Sequence, residues 1–224
     1  MEISANTVNV LKNFASINGN IVIKPGNKLM TISEAKNILA EAVVPESFSE
    51  QVGIYDLQEF LNVLSLVDRP RVRFQASWMD IGSQSGRELV KYSYADTEML
   101  TTPSKPIDMP EADVWFTIDE ATSAVIKRAA AIFDHSQLAI EPDGGSIKLS
   151  VVDPDNATAN QYTVQVDGGY DNDSFKFILN INNLRMVQDT YEVKISSKLI
   201  SQFRNESGSL TYWVALEKSS TYGD

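Results

Sequence analysis

The sequence contains no cysteine and only one histidine, and it has no long apolar run. A chain without cysteine has no disulfide framework, no thiolate metal site and no cysteine nucleophile, so side-chain packing must stabilise its fold. A membrane-spanning helix needs roughly 20 mainly apolar residues, and no such stretch occurs. The opening MEISANTVNV lacks the basic and apolar segments of a secretory signal. We therefore expect a folded cytoplasmic protein that does not bind membranes.

Motifs for catalysis and for metal or cofactor binding are also missing. The patterns GxxxxGK[ST], GxGxxG and HExxH do not occur. His135 has no serine or carboxylate partner in a recognisable motif, and the acidic segment that starts at Asp153 lacks the glycine and glutamate of an EF-hand loop. We predict no enzymatic activity, no catalytic residue, no cofactor and no metal. An enzyme with an unrecognised carboxylate site is the remaining alternative of this class.

Basic residues are scarce in this chain. The sequence has 19 lysines and arginines against 30 aspartates and glutamates, and its formal net charge is −11. Such a surplus of acid repels nucleic acid. Because salt screens charges over roughly 8 Å, a local basic surface can still attract DNA to an acidic protein. The net charge alone therefore does not identify the partner.

Short helices and strand-like runs alternate along the chain. Ser4, Asp56 and Asp119 each precede apolar residues at helical spacing, and they predict where three helices begin. Residues 21–24 and 29–33 are strand-like and are separated by the turn-forming letters PGN. This arrangement predicts a β-hairpin.

The second half of the chain repeats the first. SANTVNVLKNFA aligns with DEATSAVIKRAA, IVIKPG with LAIEPD, and IYDLQEFL with ILNINNLR, which puts Asn180 opposite Asp56 and predicts a fourth helix. Three aligned segments in the same order indicate a duplicated domain. We expect an N-terminal domain at residues 1–96, a proline-rich connector at 97–111 and a C-terminal domain at 112–224. Each domain should be α+β, with about two short helices on one face of seven to nine mainly antiparallel strands.

The third predicted helix has small and basic residues opposite its apolar face. Ala124 and Ala131 lie there, with Lys127 and Arg128 on either side. Lys12 occupies the position of Lys127 in the aligned first helix. The acids fall mainly in loops, so these helix faces are basic or neutral. They are either ordinary solvated faces or a binding surface for a polyanion.

Three segments resemble the sliding clamps of T-even-type bacteriophages, which are processivity factors of the replicative DNA polymerase. They are LKNFASINGNIVIKPG at residues 11–26, IYDLQEFLNVLSLV at 54–67 and YWVALE at 212–217. The resemblance implies a homotrimeric ring of clamp-type domains, with antiparallel sheets outside and helices lining a hole for duplex DNA. It also implies sequence-independent DNA binding, loading by an ATP-driven clamp loader, and docking of the polymerase through its C-terminal peptide.

The resemblance further implies three sets of site residues. The DNA-facing residues would be Lys12, Lys127, Arg128 and Arg185. The subunit interface would join edge strands near residues 88–95 and 161–167, with Leu89, Val90, Tyr92, Tyr94, Tyr162, Val164 and Val166. The partner-peptide pocket under the connector would include Ile107, Met109, Pro110, Trp213 and Leu216. The alternative function is that of an acidic β-rich structural or assembly protein of a phage that does not encircle DNA.

Overall fold

Capping side chains start all three α-helices where the sequence predicts them. The Ser4 hydroxyl accepts a hydrogen bond from the backbone N–H of Thr7 at 3.2 Å. The carboxylates of Asp56 and Asp119 accept from the backbone three residues further on, at 2.8 Å and 2.7 Å. Each bond satisfies an N–H that the first turn of a helix leaves without a partner. The three predicted helix starts are therefore confirmed.

The computed structural model describes residues 1–83, 86–105, 107–156 and 158–223. Two units divide the chain, the first at Met1–Pro106 and the second at Ile107–Asp224. The division lies within the segment predicted to connect the two domains. No helix in the described residues is long and apolar enough to cross a membrane.

The described residues of the first unit form two α-helices and seven strands. β1 pairs with β4, β2 pairs with β3, and β5, β6 and β7 form a third antiparallel sheet in that order. A 3-10 turn at Thr97–Met99 follows these elements. The elements are α1 (Ala5–Ile17), β1 (Ile21–Ile23), β2 (Gly26–Ile32), β3 (Ile38–Phe48), β4 (Val52–Ile54), α2 (Leu57–Ser65), β5 (Arg71–Phe74), β6 (Trp78–Gly82) and β7 (Leu89–Ser93).

The predicted hairpin between β1 and β2 is wrong. Val22 of β1 lies opposite Gly53 of β4, whereas Thr31 of β2 lies opposite Ala40 of β3. All three residues of β1 and all three of β4 are buried, so both short strands are covered on each face. Pro25 cannot donate to a strand ladder, and Gly26 has a φ of 117°. The chain therefore leaves one sheet between β1 and β2 and enters another.

The part of the second unit that the structure describes contains one α-helix and ten strands. β11, β10, β9, β13 and β17 are paired in that order, and so are β12, β8, β14, β15 and β16. The elements are β8 (Val114–Ile118), α3 (Glu120–Phe133), β9 (Gln137–Asp143), β10 (Ser146–Val152), β11 (Tyr162–Val166), β12 (Gly168–Tyr170), β13 (Phe175–Asn180), β14 (Tyr191–Ser196), β15 (Ile200–Asn205), β16 (Leu210–Ala215) and β17 (Thr221–Tyr222). All these pairs are antiparallel.

The predicted fourth α-helix is a single 3-10 turn at Ile181–Asn183. Asn180 caps it by accepting the N–H of Asn182 at 3.0 Å, so the aligned capping position is right although the helix is not. After Ile181 the segment continues with two asparagines, which are poor helix formers, and offers no long apolar stripe. The second unit also has ten strands instead of the seven to nine predicted.

Three groups of paired strands recur in the same order in both units, although β9 also pairs with β10 whereas β1 and β2 are not paired in the described residues. An α-helix is followed by the pair β1–β4 in the first unit and by β9–β13 in the second. β2–β3 corresponds to β10–β11, and β5–β6–β7 corresponds to β14–β15–β16. The α+β class with mainly antiparallel sheets is therefore confirmed, and the shared order supports the internal repeat.

Candidate nucleic-acid and partner interfaces

The solvent faces of α1 and α3 carry few charges, and most of those are basic. α1 buries Val10, Leu11 and Phe14 and leaves Lys12 exposed as its single charged residue. On α3 the apolar face is anchored by Ile126, and Arg128 is exposed. Ala124 and Ala131 are also exposed, as the sequence predicts. These faces offer lysine and arginine to a polyanion beside small alanines, although Ile132 on α3 is also 70% exposed.

Lys127 is less exposed than the sequence suggests. Its side chain is half-buried on α3 and lines a small cavity together with Met186 and Tyr191. Burial removes water from the ammonium group and lowers the pKa of Lys127 below its ordinary value. Lys127 is therefore less available to a polyanion than the exposed Arg128.

Arg185 is a further exposed cation, whereas the only charged residue of α2 is acidic. Arg185 is exposed just beyond the 3-10 turn, and its Nε donates to the carbonyl of Asn182 at 3.0 Å. α2 contains no basic residue, and its single charged residue is Glu59 in the first turn. The predicted DNA-facing residues thus lie on two helices and one turn, and α2 contributes no cation.

The two predicted interface strands are both edges of their sheets. Among the described residues, β7 pairs with β6 alone and β11 pairs with β10 alone. Every residue of these two strands is exposed or half-buried. Every other described strand of four or more residues contains at least one buried residue. Leu89 at the start of β7 is 69% exposed. Edges with this composition are available for pairing with another strand.

The alternation of hydrogen bonds in β7 identifies its outward backbone groups. Ser83 donates its N–H to the carbonyl of Glu88, and Tyr94 donates to Ser77. In an antiparallel ladder, bonded and non-bonded pairs alternate. The N–H groups at Leu89, Lys91 and Ser93 therefore point away from β6, toward the open edge. The predicted interface residues of β11 lie at its half-buried positions, which are Tyr162, Val164 and Val166.

The residues predicted for a peptide pocket fall in two places in the second unit. Ile107, Met109 and Pro110 are half-buried in a segment without helix or strand. Trp213 lies in β16 and is 9% exposed, and the buried Leu216 follows that strand. Within the part of the chain that the structure describes, Trp213 Nε1 has no hydrogen-bond partner. A buried donor of this kind is normally satisfied, so it marks a place where an acceptor is missing.

Three residues of interest were not found from the sequence. Glu46 on β3 is buried and receives hydrogen bonds from the Ser4 N–H and the Thr7 hydroxyl at the start of α1. Trp115 on β8 and Lys194 on β14 face solvent opposite each other. The alternating run VWFTI was the available signal for Trp115, because it places tryptophan on the face opposite the buried Val114 and Phe116.

No group of three or more metal-ligating side chains comes together within the described ranges. The ring of His135 makes one hydrogen bond to the carbonyl of Asn160 at 2.9 Å and packs beside Phe133. Asp153 accepts the N–H of Asp155 within the acidic loop. His135 thus belongs to the end of α3, and Asp153 belongs to a turn.

Two family models match the chain in succession. The model described as DNA polymerase processivity factor matches residues 4–99. The model described as gp45 sliding clamp, C terminal, matches residues 118–218.

Phage proteins described as sliding clamps match this chain over nearly its whole length. The sliding clamp of Vibrio phage KVP40 is 29% identical over 97% of this chain and 99% of its own. The sliding clamp of Enterobacteria phage T4 is 30% identical over 99% of both chains. Among solved structures, the PCNA2–PCNA3 complex from Sulfolobus tokodaii superposes with a TM-score of 0.67 at 13% identity, covering 94% of this chain and 95% of that one. That last likeness concerns the fold alone.

Proposed function

Because this chain belongs to the family of phage sliding clamps, the processivity factors of DNA polymerase, we propose that it encircles duplex DNA as a homotrimeric ring and tethers the replicative polymerase. The full-length match to sliding clamps carries this proposal. It is supported by an acidic chain whose α1 and α3 nevertheless expose Lys12 and Arg128. The ring itself has no catalytic role, and it acts in the cytoplasm of the infected bacterium.

The DNA-facing surface consists of Lys12 on α1, Lys127 and Arg128 on α3, and Arg185 just beyond the 3-10 turn at Ile181–Asn183, all turned toward the hole. Contacts with phosphate position a protein on a duplex but carry no sequence information. Small neighbours such as Ala124 keep the surface around these cations low, which favours contacts with phosphate over contacts with base edges. The attraction is weak because the cations are few, and closure of the ring retains the protein on DNA.

The ring closes through strand pairing between β7 of one subunit and β11 of the next. The outward N–H groups of β7 and the half-buried Val164 and Val166 of β11 support this assignment. Pairing also covers two open edges that would otherwise promote aggregation. An ATP-driven clamp loader opens the ring, since the chain contains no nucleotide-binding motif of its own.

Partner proteins dock with the second unit through a C-terminal peptide. The pocket is lined by Trp213 and Leu216 with Ile107, Met109 and Pro110 of the connector. The missing acceptor at Trp213 Nε1 supports this placement, because an extended peptide offers backbone carbonyls. Polymerase bound in this way stays with the ring and copies DNA without dissociating.

The experiment that tests encirclement compares circular with linear DNA. The protein is loaded onto nicked circular DNA by its clamp loader and ATP, washed at high salt, and the circle is then cut with a restriction enzyme. We expect retention on the circle and rapid loss after linearisation, together with a trimer of the 24.8 kDa chain in sedimentation. Equal loss from both forms of DNA would instead support the phage assembly protein.

Ring closure is tested by one substitution at the edge of β7. Lys91→Pro removes an N–H that points away from β6, so the pairing of β6 with β7 should persist while the pairing between subunits is lost. Lys91→Ala is the matched control, because it removes the same side chain and its contact with the Trp78 ring but keeps the N–H. We expect monomers from the first variant and trimers from the second. Trimers from both would refute the proposed edge.

A further inference from the structure

One row of side chains crosses one face of the sheet in the second unit from strand to strand, and this face is exposed at Trp115 and Lys194 and covered at Trp213. Trp115 on β8 lies opposite Lys194 on β14, Lys194 lies opposite Gln202 on β15, and Gln202 lies opposite Trp213 on β16. Directly opposed residues in a sheet point to the same face. The row therefore places two indoles at its ends and two hydrogen-bonding side chains between them, over about 14 Å at the usual strand spacing.

The middle and one end of this row offer donors that the second unit does not use. Trp213 Nε1 is buried without a partner, and Lys194 is exposed and forms no ion pair within the described residues. Gln202 is half-buried between them. A row of donors with a cation in it suits a ligand that presents acceptors and one negative charge.

The other end of the row is a fixed aromatic surface. Trp115 is 43% exposed, and its indole lies over the backbone of Gly169 on the neighbouring β12. A Cβ at Gly169 would lie 2.6 to 2.9 Å from the Cζ2, Cε2 and Nε1 atoms of this indole, so only glycine allows the ring to rest there. Exposed tryptophans that are already held in place often dominate the energy of protein interfaces.

In the first unit, side chains in and beside a comparable row on β5, β6 and β7 contact one another. There Arg73 lies opposite Asp80, and Asp80 lies opposite Lys91. Asp80 accepts hydrogen bonds from Trp78 Nε1 and from Gln75 Nε2, both at 3.1 Å. The Lys91 ammonium lies 4.2 Å from the centre of the Trp78 ring. The same position in the fold thus holds an internal network in one unit and unused donors in the other.

We propose that Lys194 binds the terminal carboxylate of the partner peptide, whose last side chain packs on Trp115 while an upstream carbonyl accepts the Trp213 N–H. This inference rests on the proposed docking of C-terminal peptides and extends it beyond the Trp213 pocket. From Trp213 to Lys194 the row spans two strand spacings, about 10 Å, which about three extended residues cover. The peptide therefore crosses the strands and ends between Lys194 and Trp115, and its last residue is apolar.

The test uses two synthetic peptides with the C-terminal sequence of the polymerase that replicates the same genome. One ends in a free carboxylate and the other in an amide, and fluorescence anisotropy measures the binding of each to the intact clamp. We expect the amide to bind about fivefold more weakly to the unaltered protein, the size of a partly exposed ion pair. In the Lys194→Met variant the two peptides should bind equally, because the group that distinguishes them is gone.

Arg73→Met provides the matched control, since Arg73 is an exposed cation on β5, the strand of the first unit that corresponds to β14. It should keep the preference for the free carboxylate. The indole N–H resonance of Trp213, assigned with Trp213→Phe, should also shift when the peptide is added. Equal binding of both peptides by the unaltered protein overturns the assignment of Lys194 and leaves the docking proposal standing. Binding of neither peptide overturns both.

Discussion

Replacing Glu46 by glutamine tests how the fold positions α1, the helix that presents Lys12. Glu46 is 8% exposed, and its two carboxylate oxygens accept the Ser4 N–H and the Thr7 hydroxyl. Burial raises its pKa, but the hydrogen bonds from Thr7 and Ser4 outweigh burial and hold the pKa below its ordinary value. The charged carboxylate is therefore the form that the folded protein stabilises.

The expected cost follows from what glutamine changes. The side chain keeps its shape, but one accepting oxygen becomes an NH₂ group and the negative charge at the start of a helix is lost. Hydrogen bonds to a buried charged group contribute about 1.5–3 kcal/mol, and we expect a loss within that range. With a urea slope of about 2 kcal/mol per M, the midpoint for unfolding should fall by about 1 M.

The assay reads the first unit separately. In a background with Trp115→Phe and Trp213→Phe, the remaining Trp78 reports urea unfolding of the first unit by fluorescence. Glu41→Gln on the same strand is the control, since Glu41 makes only a partly exposed ion pair with Lys28 at 2.8 Å. Such a pair contributes at most about 1 kcal/mol.

The pH dependence supplies a second check with a fixed sign. Because the folded pKa of Glu46 is lowered from 4.5, its contribution to stability is fully present above 4.5 and is lost as pH falls through the folded value. The difference between the unaltered protein and Glu46→Gln should therefore shrink below pH 4.5. If Glu46→Gln unfolds at the same urea concentration as Glu41→Gln, or if the difference grows in acid, the reasoning is refuted.

Two further substitutions test other parts of the structure. The double variant Lys127→Gln with Arg128→Gln should reduce polymerase processivity several-fold and leave the trimer intact in sedimentation; unchanged processivity would remove both residues from the DNA-facing surface. Gly168→Ala puts a Cβ 2.4 Å from a backbone oxygen of β8 and should destabilise the second unit by about 1–3 kcal/mol in urea unfolding. Gly19→Ala, where nothing lies within 4 Å, is its control, and equal midpoints for the two variants would contradict the packing argument.

The parts of the fold that depend on neighbouring residues were predictable from the sequence. Ser4, Asp56 and Asp119 cap helices because each bond reaches only three residues along the chain. Strand pairing depends on residues that are distant in the sequence. β1 pairs with β4 and not with the adjacent β2, and all residues of β1 and β4 are buried. The missing fourth helix shows the same limit, because alignment with α2 located the cap at Asn180 but not the apolar residues that a helix needs.

The candidate sites divide in the same way. Helical periodicity placed Arg128 on the solvent face, but the half-burial of Lys127 depends on Met186 and Tyr191, which lie far along the chain. Alternation within β8 put Trp115 outside the core. That Trp115 lies opposite Lys194 could not be predicted without the register of β8 and β14. Shifting one strand by a single residue would turn one of these two side chains to the other face of the sheet.

The distribution of charge decides how a clamp with a net charge of −11 holds DNA. The logarithm of the affinity for a duplex falls linearly with the logarithm of the salt concentration, and the slope is about −0.9 for each phosphate that a cation neutralises. α1 contributes only Lys12, α3 contributes Lys127 and Arg128 beside Glu120, and α2 contributes only Glu59. Electrostatic contact is thus a small and salt-sensitive part of binding in the proposed ring. Loading should weaken as salt rises, whereas residence on a closed circle should not, because a protein that forms the proposed ring leaves a circle only when one of its subunit interfaces opens.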